Sequence, residues 1–114
     1  MAMDDVEVQM QAQLRTALQI VENPISYGAL ARNLDVPGPG AIARVTSALE
    51  ALMRQDSAAG RPFLAAMCEG RLSGGMPARG FFEMAAELGR YTGPATGPEA
   101  VAFVRQQRAL LRRK

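Results

Sequence analysis

The stretch from Ile25 to Phe82 constrains the fold more than any other part of this 114-residue chain. It contains a short helical pattern, a Pro-Gly-Pro-Gly turn, a longer helical pattern, one apolar run and a Gly-rich stretch. The turn cannot continue a helix, so it must separate two of them. We therefore expect a helix, a turn, a second helix, a strand and a flexible loop, in that order.

Capping residues and apolar periodicity set the expected bounds of the two helices. Ser26 is placed to cap a helix from Tyr27 to about Leu34, and a second helix is expected at positions 39–55, opened by a proline. Gly28 weakens the first of them by about 1 kcal/mol relative to alanine, which predicts a close backbone approach by the second helix. The second helix is expected to bury Ile42, Val45, Leu49, Leu52 and Met53.

The apolar run and the Gly-rich stretch complete the pattern. Length and flanks predict a buried strand from Phe63 to Cys68, and Glu69 to Gly80 is expected to be a loose loop carrying Arg71 and Arg79. A helix–turn–helix followed by a strand and a loop is the outline of a winged helix, a fold that typically docks on duplex DNA. The expected fold is mainly α with a small β wing.

Further helices are expected on both sides of this unit. Periodicity predicts an amphipathic helix from about Asp5 to Glu22, a short helix from Phe81 to Leu88 ended by Gly89, and a last helix opened by Pro98. The chain is expected to form a single domain over residues 1–114. Its parts are an N-terminal helix (1–23), a winged-helix core (24–88), a linker (89–97) and a basic C-terminal helix (98–114).

Composition narrows the class of partner. The net charge is only +2, but residues 1–23 carry −3 whereas residues 24–80 carry +2 and residues 81–114 carry +3. Twelve of the thirteen basic residues are arginine, whose planar fork suits phosphates and guanine edges. Codon bias in a GC-rich genome would also favour arginine. The uneven distribution of charge along the chain is therefore stronger evidence for a polyanionic partner than the arginine count is.

Cysteine and histidine usage excludes several kinds of site. Cys68 is the sole cysteine, so no internal disulfide forms, and a reducing cytoplasmic location is expected. Histidine is absent, which excludes His-based catalysis and His-ligated metals. No run is long and apolar enough for a membrane span, and no metal or cofactor site is expected.

Short motifs in this region resemble two groups of DNA-binding proteins. Ile25 to Ala31, the Ala43-Arg44-Val45 step and the Gly-rich stretch after Glu69 look like the DNA-binding region of alkylguanine-DNA alkyltransferases and alkyltransferase-like proteins. The Tyr27-Gly28-x-Leu30-Ala31 motif, the apolar run led by Pro62, and Met76-Pro77 followed by Gly80-Phe81 are together similar to small winged-helix proteins found with prophages and restriction systems. The Pro-Cys-His-Arg motif, which contains the acceptor cysteine of the alkyltransferases, is missing from this chain. The acceptor role therefore does not carry over to Cys68. The resemblance implies that Arg44 contacts DNA and that Tyr27 lies near the bound backbone.

The leading hypothesis is a non-enzymatic protein that binds double-stranded DNA with low sequence specificity. Arg44, Ser47 and Arg54 recur on one helix face and would lie at the major groove, although an ordinary solvated face shows the same pattern. The remaining phosphate contacts are assigned to Arg71, Arg79, Arg105, Arg108, Arg112 and Arg113. Such binding would place the protein at the nucleoid of a bacterial cytoplasm. Regulation of transcription, packaging, repair and protection of DNA stay open as its task, and no small-molecule substrate is expected.

Two other classes of function remain open on the sequence. A winged-helix adaptor for proteins, in a regulatory or phage-related complex, would use the amphipathic N-terminal helix, which also offers a homodimer contact. An enzyme would need Cys68 as nucleophile, yet no general base stands near it in the sequence, and buried structural cysteines are far commoner. We therefore expect no catalytic residue.

Overall fold

The computed structural model describes the backbone of residues 2–112 and the side chains of residues 7–112. Five α-helices occupy most of this part of the chain, and two short strands pair with each other. The elements are α1 (Ala2–Ile20), β1 (Ile25–Ser26), α2 (Tyr27–Asn33), α3 (Ala41–Ala58), a 3₁₀ segment (Leu64–Met67), β2 (Cys68–Glu69), α4 (Arg79–Glu87) and α5 (Pro98–Leu111). The mainly α class expected from the sequence is confirmed.

The helices lie close to their predicted positions, with corrections at some of their ends. α3 runs on to Ala58, past its expected end at position 55, and α4 begins at Arg79, inside the stretch expected to be a loop. The Ser26 side chain accepts a hydrogen bond from the Ala29 N–H at 3.1 Å, which is the expected cap of α2. Gly89, with φ of 71°, follows α4 in the left-handed conformation that ends helices, and Pro98 begins α5. α1 ends at Ile20, two residues before its expected end, because the chain turns ahead of Asn23-Pro24.

One apolar cluster holds these elements together. α3 packs against both α1 and α2, and the 3₁₀ segment packs against α1, α3 and α5. The Phe63 ring meets Phe81 and Phe103 edge to face, with centroids 5.9 and 6.4 Å apart. The cluster's larger members are Leu14, Leu18, Leu30, Val45, Leu49, Leu52, Met53, Phe63, Phe81, Phe82 and Val104.

The predicted strand from Phe63 to Cys68 is wrong for most of its length. Residues 64–67 form the 3₁₀ segment, and only the last predicted residue joins the sheet, where β2 pairs in parallel with β1 through Ile25–Cys68 and Ser26–Glu69. The Phe63 N–H donates to Gln107 Oε1 at 2.8 Å, and the Leu64 N–H donates to Asp56 Oδ2 at 3.2 Å. Side chains thus satisfy the amides that a strand partner would have bonded.

Two local expectations around α2 are also wrong. A Cβ on Gly28 would meet only side-chain atoms, Arg32 Nη1 at 3.5 Å and Ile42 Cδ1 at 4.0 Å, so no backbone approaches closely there. Ile42, expected in the core, is 53% exposed. Gly28 lies near Ile42 Cδ1 and offers no side chain to cover it.

None of the helices in the described part of the chain is long and apolar enough to cross a membrane.

Candidate nucleic-acid interface

The outward side of α3 carries the face that the sequence predicts. Arg44, Ser47 and Arg54 are exposed there, and Ala51 between them is half-buried, while the opposite stripe of the helix lies in the core. Within the described residues, neither Arg44 nor Arg54 makes a side-chain hydrogen bond or an ion pair. Both guanidinium groups are thus available to an external anion. We call these three residues the α3 face.

Different elements border the two flanks of the α3 face. On one side, Gln55 accepts from Arg15 Nη2 at 3.1 Å and donates to Gln11 Oε1 at 2.8 Å, which ties α3 to α1. On the other side, Tyr27, Glu50 and Gly80 line a small cleft, so the first turn of α4 lies next to α3. That turn begins with Arg79.

Arg79 is strongly exposed but has an acidic neighbour. Its side chain is 81% exposed, and its Nε lies 3.8 Å from Glu83 Oε2, one turn along α4. An exposed pair of this kind contributes little and exchanges with solvent. Arg79 therefore keeps much of its capacity to meet a phosphate beside the α3 face.

The Gly-rich stretch folds as a compact loop over residues 70–76. The Gly70 N–H donates to the Met76 carbonyl at 2.8 Å, and two further backbone bonds run from Ser73 to Gly70 and from Met76 to Ser73. No antiparallel hairpin forms within residues 70–78. Arg71 is exposed in this loop, next to Leu72, which is 97% exposed with φ of 61°.

Arg108 does not face solvent as expected. Its Nε donates to the Ala66 carbonyl at 2.7 Å, and its Nη2 donates to the carbonyls of Gly75 at 2.7 Å and Cys68 at 3.4 Å. Burial lowers the pKa of Arg108 from its ordinary value. Its guanidinium is held by backbone carbonyls before and within the Gly-rich loop, so its Nε and Nη2 are not free for the predicted phosphate contact.

The other basic residues of α5 do not extend the α3 face. The Arg112 Nη2 donates to the Glu22 carbonyl at 3.2 Å, and Arg105 is exposed. The 3₁₀ segment packs on α3 and on α5, so it stands between the two helices. The expected gathering of the basic residues on a single surface is therefore not what the fold produces. Arg113 lies outside the described residues.

The Tyr27 hydroxyl is also occupied inside the protein. It accepts a hydrogen bond from the Ala78 N–H at 3.0 Å, and burial raises the pKa of Tyr27 to about 12. This bond joins the start of α2 to the end of the Gly-rich loop. The hydroxyl therefore has a structural partner in place of the DNA backbone that the resemblance implies.

Cys68 has the environment of a core residue. It is fully buried in β2, and burial raises the pKa of its thiol to about 12. A thiol with this pKa is almost wholly protonated at neutral pH and is a poor nucleophile. Among the residues that the structure describes, no cluster of three or more His, Cys, Asp or Glu side chains could hold a metal ion.

Sequence reasoning missed a buried carboxylate that accepts three hydrogen bonds. Asp56 is fully buried, and its Oδ1 accepts from Arg15 Nη1 at 3.0 Å and from Arg61 Nε at 3.2 Å. Its Oδ2 accepts from the Leu64 N–H. The signal was present, since Asp56 continues the buried stripe of α3 after Leu49 and Leu52, and a carboxylate on such a stripe needs partners.

Gln107 is a second missed residue of the same kind. It is 3% exposed, and it lies three residues after the buried Val104 on α5. Its Oε1 accepts the Phe63 N–H, which anchors the start of the 3₁₀ segment. Asp56 and Gln107 together hold this segment from opposite sides.

Comparisons with known proteins found no match for this chain. No family model matches it, and no curated protein or solved structure matches it significantly.

Proposed function

We propose that this protein is a non-enzymatic module that binds double-stranded DNA through the α3 face. The observation that carries the proposal is the pair Arg44 and Arg54, exposed on one side of a helix whose intervening outward positions are small. The carboxylate that falls between the two arginines in sequence, Glu50, lies at the edge of this side, in the cleft next to α4. The order of helix, strand, helix, helix, strand and loop supports a winged-helix relationship, with α3 as the recognition helix.

The spacing of the two arginines suits a duplex. Ten residues of α-helix separate Arg44 from Arg54, a rise of about 15 Å along the helix axis. The major groove is about 12 Å wide, so two guanidinium groups at this separation reach the phosphates on its two sides. Ser47 and the alanines near it allow the helix to approach closely.

Arg71 and Arg79 are the supporting contacts in this proposal. Arg79 opens α4 beside the α3 face, and Arg71 is exposed in the loop that leads to it. These two residues would meet backbone phosphates, which position a protein on DNA without reading the sequence. With few base-reading side chains, the protein is expected to bind with low sequence specificity, at the nucleoid of a bacterial cytoplasm.

A salt-dependent anisotropy titration tests the proposal. The probe is a labelled duplex of two helical turns, about 21 base pairs, of arbitrary sequence. Between about 50 and 200 mM salt the affinity should fall steeply, because phosphate contacts release counterions. The double variant Arg44→Gln/Arg54→Gln should bind at least about tenfold more weakly and lower the salt slope by about 2.

Arg105→Gln is the matched control for that titration. It removes one exposed arginine, from the helix that the 3₁₀ segment separates from α3, and should leave the affinity within about twofold. Absence of duplex binding at low salt would refute the proposal. An equal loss of affinity for each arginine removed, in the control and in the double variant, would also refute it, because it would show that overall charge alone matters.

An interaction module for proteins is the second candidate. Val8 and Ile20 on α1 are 62% and 75% exposed, more apolar surface than a solvated helix needs. Under this proposal α1 binds a partner protein or a second copy of the chain. Sedimentation equilibrium of the wild type and of Val8→Gln/Ile20→Gln tests the second copy. A monomer at all concentrations would remove that homodimer hypothesis.

A further inference from the structure

A groove outside the α3 face combines surplus positive charge with an apolar wall. It lies between α1, the segment that follows α3, and the end of α5, and its volume is about 390 Å³. Arg15, Arg61 and Asp56 line its polar end. Its apolar side is formed by Pro62, Leu64, Leu110 and Leu111. We call it the Arg61 groove.

The charges at the polar end do not balance. Two guanidinium groups share one carboxylate oxygen, since Arg15 Nη1 and Arg61 Nε both donate to Asp56 Oδ1. One positive charge therefore remains uncompensated at the groove. The Arg61 side chain is half exposed, and its two terminal nitrogens have no partner among the described residues. Their parallel N–H groups are suited to a bidentate carboxylate.

The polar end is held rigidly before any ligand arrives. Arg15 is fixed by Gln55 as well as by Asp56, and Asp56 is fixed by the Leu64 N–H. The Arg61 carbonyl accepts from Arg90 Nη2 at 3.1 Å, which positions the backbone behind the guanidinium. A preorganised site of this kind loses little freedom on binding.

The apolar side of the groove has exposed surface from which a bound ligand would displace water. Leu110 is 39% exposed at the groove, although it belongs to a helix that contributes Ala100 and Val104 to the core. The volume lies in the lower part of the range of small-molecule pockets, about 300 to 1,000 Å³. The dimensions fit a small molecule better than a protein segment.

We infer that the Arg61 groove binds a small organic anion, namely a carboxylate that carries an aliphatic or aromatic body. The carboxylate lies against the terminal nitrogens of Arg61, and the apolar body covers Leu110 and Leu111. The site requires both parts of this ligand. A carboxylate without the apolar body would leave Leu110 and Leu111 uncovered, and an apolar body without the carboxylate would leave the Arg61 charge unpaired. The inference is independent of DNA binding and uses none of the α3 face.

Amide NMR spectra of the full chain test the inference with matched probes. Octanoate carries both features, octanamide lacks the charge, and acetate lacks the apolar body. Octanoate should shift the amides of Leu64 and Leu110 and bind at least about tenfold more tightly than either control, the effect of one charge-assisted pair or of the buried chain. Equal binding of octanoate and octanamide would overturn the inference, as would absence of octanoate binding at millimolar concentration.

Surface variants separate the two halves of the site. Arg61→Gln and Leu110→Gln change exposed side chains, and each should weaken octanoate binding by about tenfold while the spectrum stays that of a folded protein. Arg105→Gln should leave binding unchanged. If sedimentation shows a dimer that Leu110→Gln dissociates, a second copy covers this face, and the inference is wrong.

Discussion

The arginines of the α3 face differ from those that hydrogen-bond within the protein. Arg44 and Arg54 stand in solvent without a partner among the described residues, whereas Arg15 and Arg61 share a buried carboxylate. Arg108 goes further and donates to three backbone carbonyls. Arginine thus supplies both an exposed basic surface and the hydrogen bonds that join separate elements of the fold.

The difference shows why counting basic residues overstates a nucleic-acid surface. A guanidinium carries five donors in a fixed fork, so it can satisfy several buried acceptors at once. In a small domain with short strands, many carbonyls lie outside regular ladders and need such donors. The charge of Arg108 therefore stabilises the Gly-rich loop and is not available to a phosphate.

Replacing the buried carboxylate should have the largest effect on stability. Asp56→Asn keeps the shape of the side chain but leaves Arg15 and Arg61 facing each other without a counter-charge. We expect the free energy of unfolding in urea to fall by about 3 kcal/mol. Asp35→Asn, at an exposed position, is the control and should change it by less than about 0.5 kcal/mol. Similar free energies of unfolding for the two variants would show that the Asp56 charge does not stabilise the fold.

Removing the Arg108 guanidinium should have the next largest effect. Arg108→Met leaves the carbonyls of Ala66 and Gly75 without their donor, and we expect a loss of about 2 kcal/mol. Hydrogen exchange should also accelerate at Met76, whose amide lies in the clamped loop. Arg105→Met on the same helix should alter neither quantity. Unchanged exchange in Arg108→Met would show that the loop does not depend on this residue.

Alkaline pH should weaken the interior through its buried acids. Burial raises the pKa of Cys68 from 9.0 to about 12 and that of Tyr27 from 10.0 to about 12. The folded state holds both protons more tightly, so their contribution is full below about pH 9 and is lost as the pH rises towards 12. The slope should approach about 1.4 kcal/mol per pH unit for each group.

Cys68→Ala separates the thiol from the tyrosine in that titration. Between about pH 9 and 10 the unfolding free energy of this variant should depend on pH more weakly than that of the wild type. The same slope in both proteins would mean that the Cys68 thiol is not the group that titrates.

The smallest stability effect is expected at the α3 face. Arg44→Gln/Arg54→Gln removes two charges that have no described partner, so the free energy of unfolding should stay within about 0.5 kcal/mol of the wild type. The same double variant is expected to lose DNA affinity. It therefore separates an arginine that binds DNA from one that stabilises the fold. A large loss of stability would place these two arginines with the structural group.

Sequence patterns predict the helices well and the polar contacts poorly. The cap at Ser26, the stop at Gly89 and the start at Pro98 are local signals, and each stands where it was expected. The 3₁₀ segment escaped prediction because its amides are satisfied from residues about 8 and 44 positions away. The exposed arginines of α3 were predicted correctly, since one helix suffices to define its own outer side.

The amino-acid sequence by itself determined the helical class, the approximate position of each helix and the outward direction of Arg44 and Arg54, because a 3.6-residue period and capping chemistry act over a few neighbouring positions. Only the tertiary structure decided which arginines remain free. Arg108 meets carbonyls more than 30 residues away, and Arg15 meets Asp56 across 41 positions. Such pairings depend on how whole helices pack, and that packing is a property of the complete core.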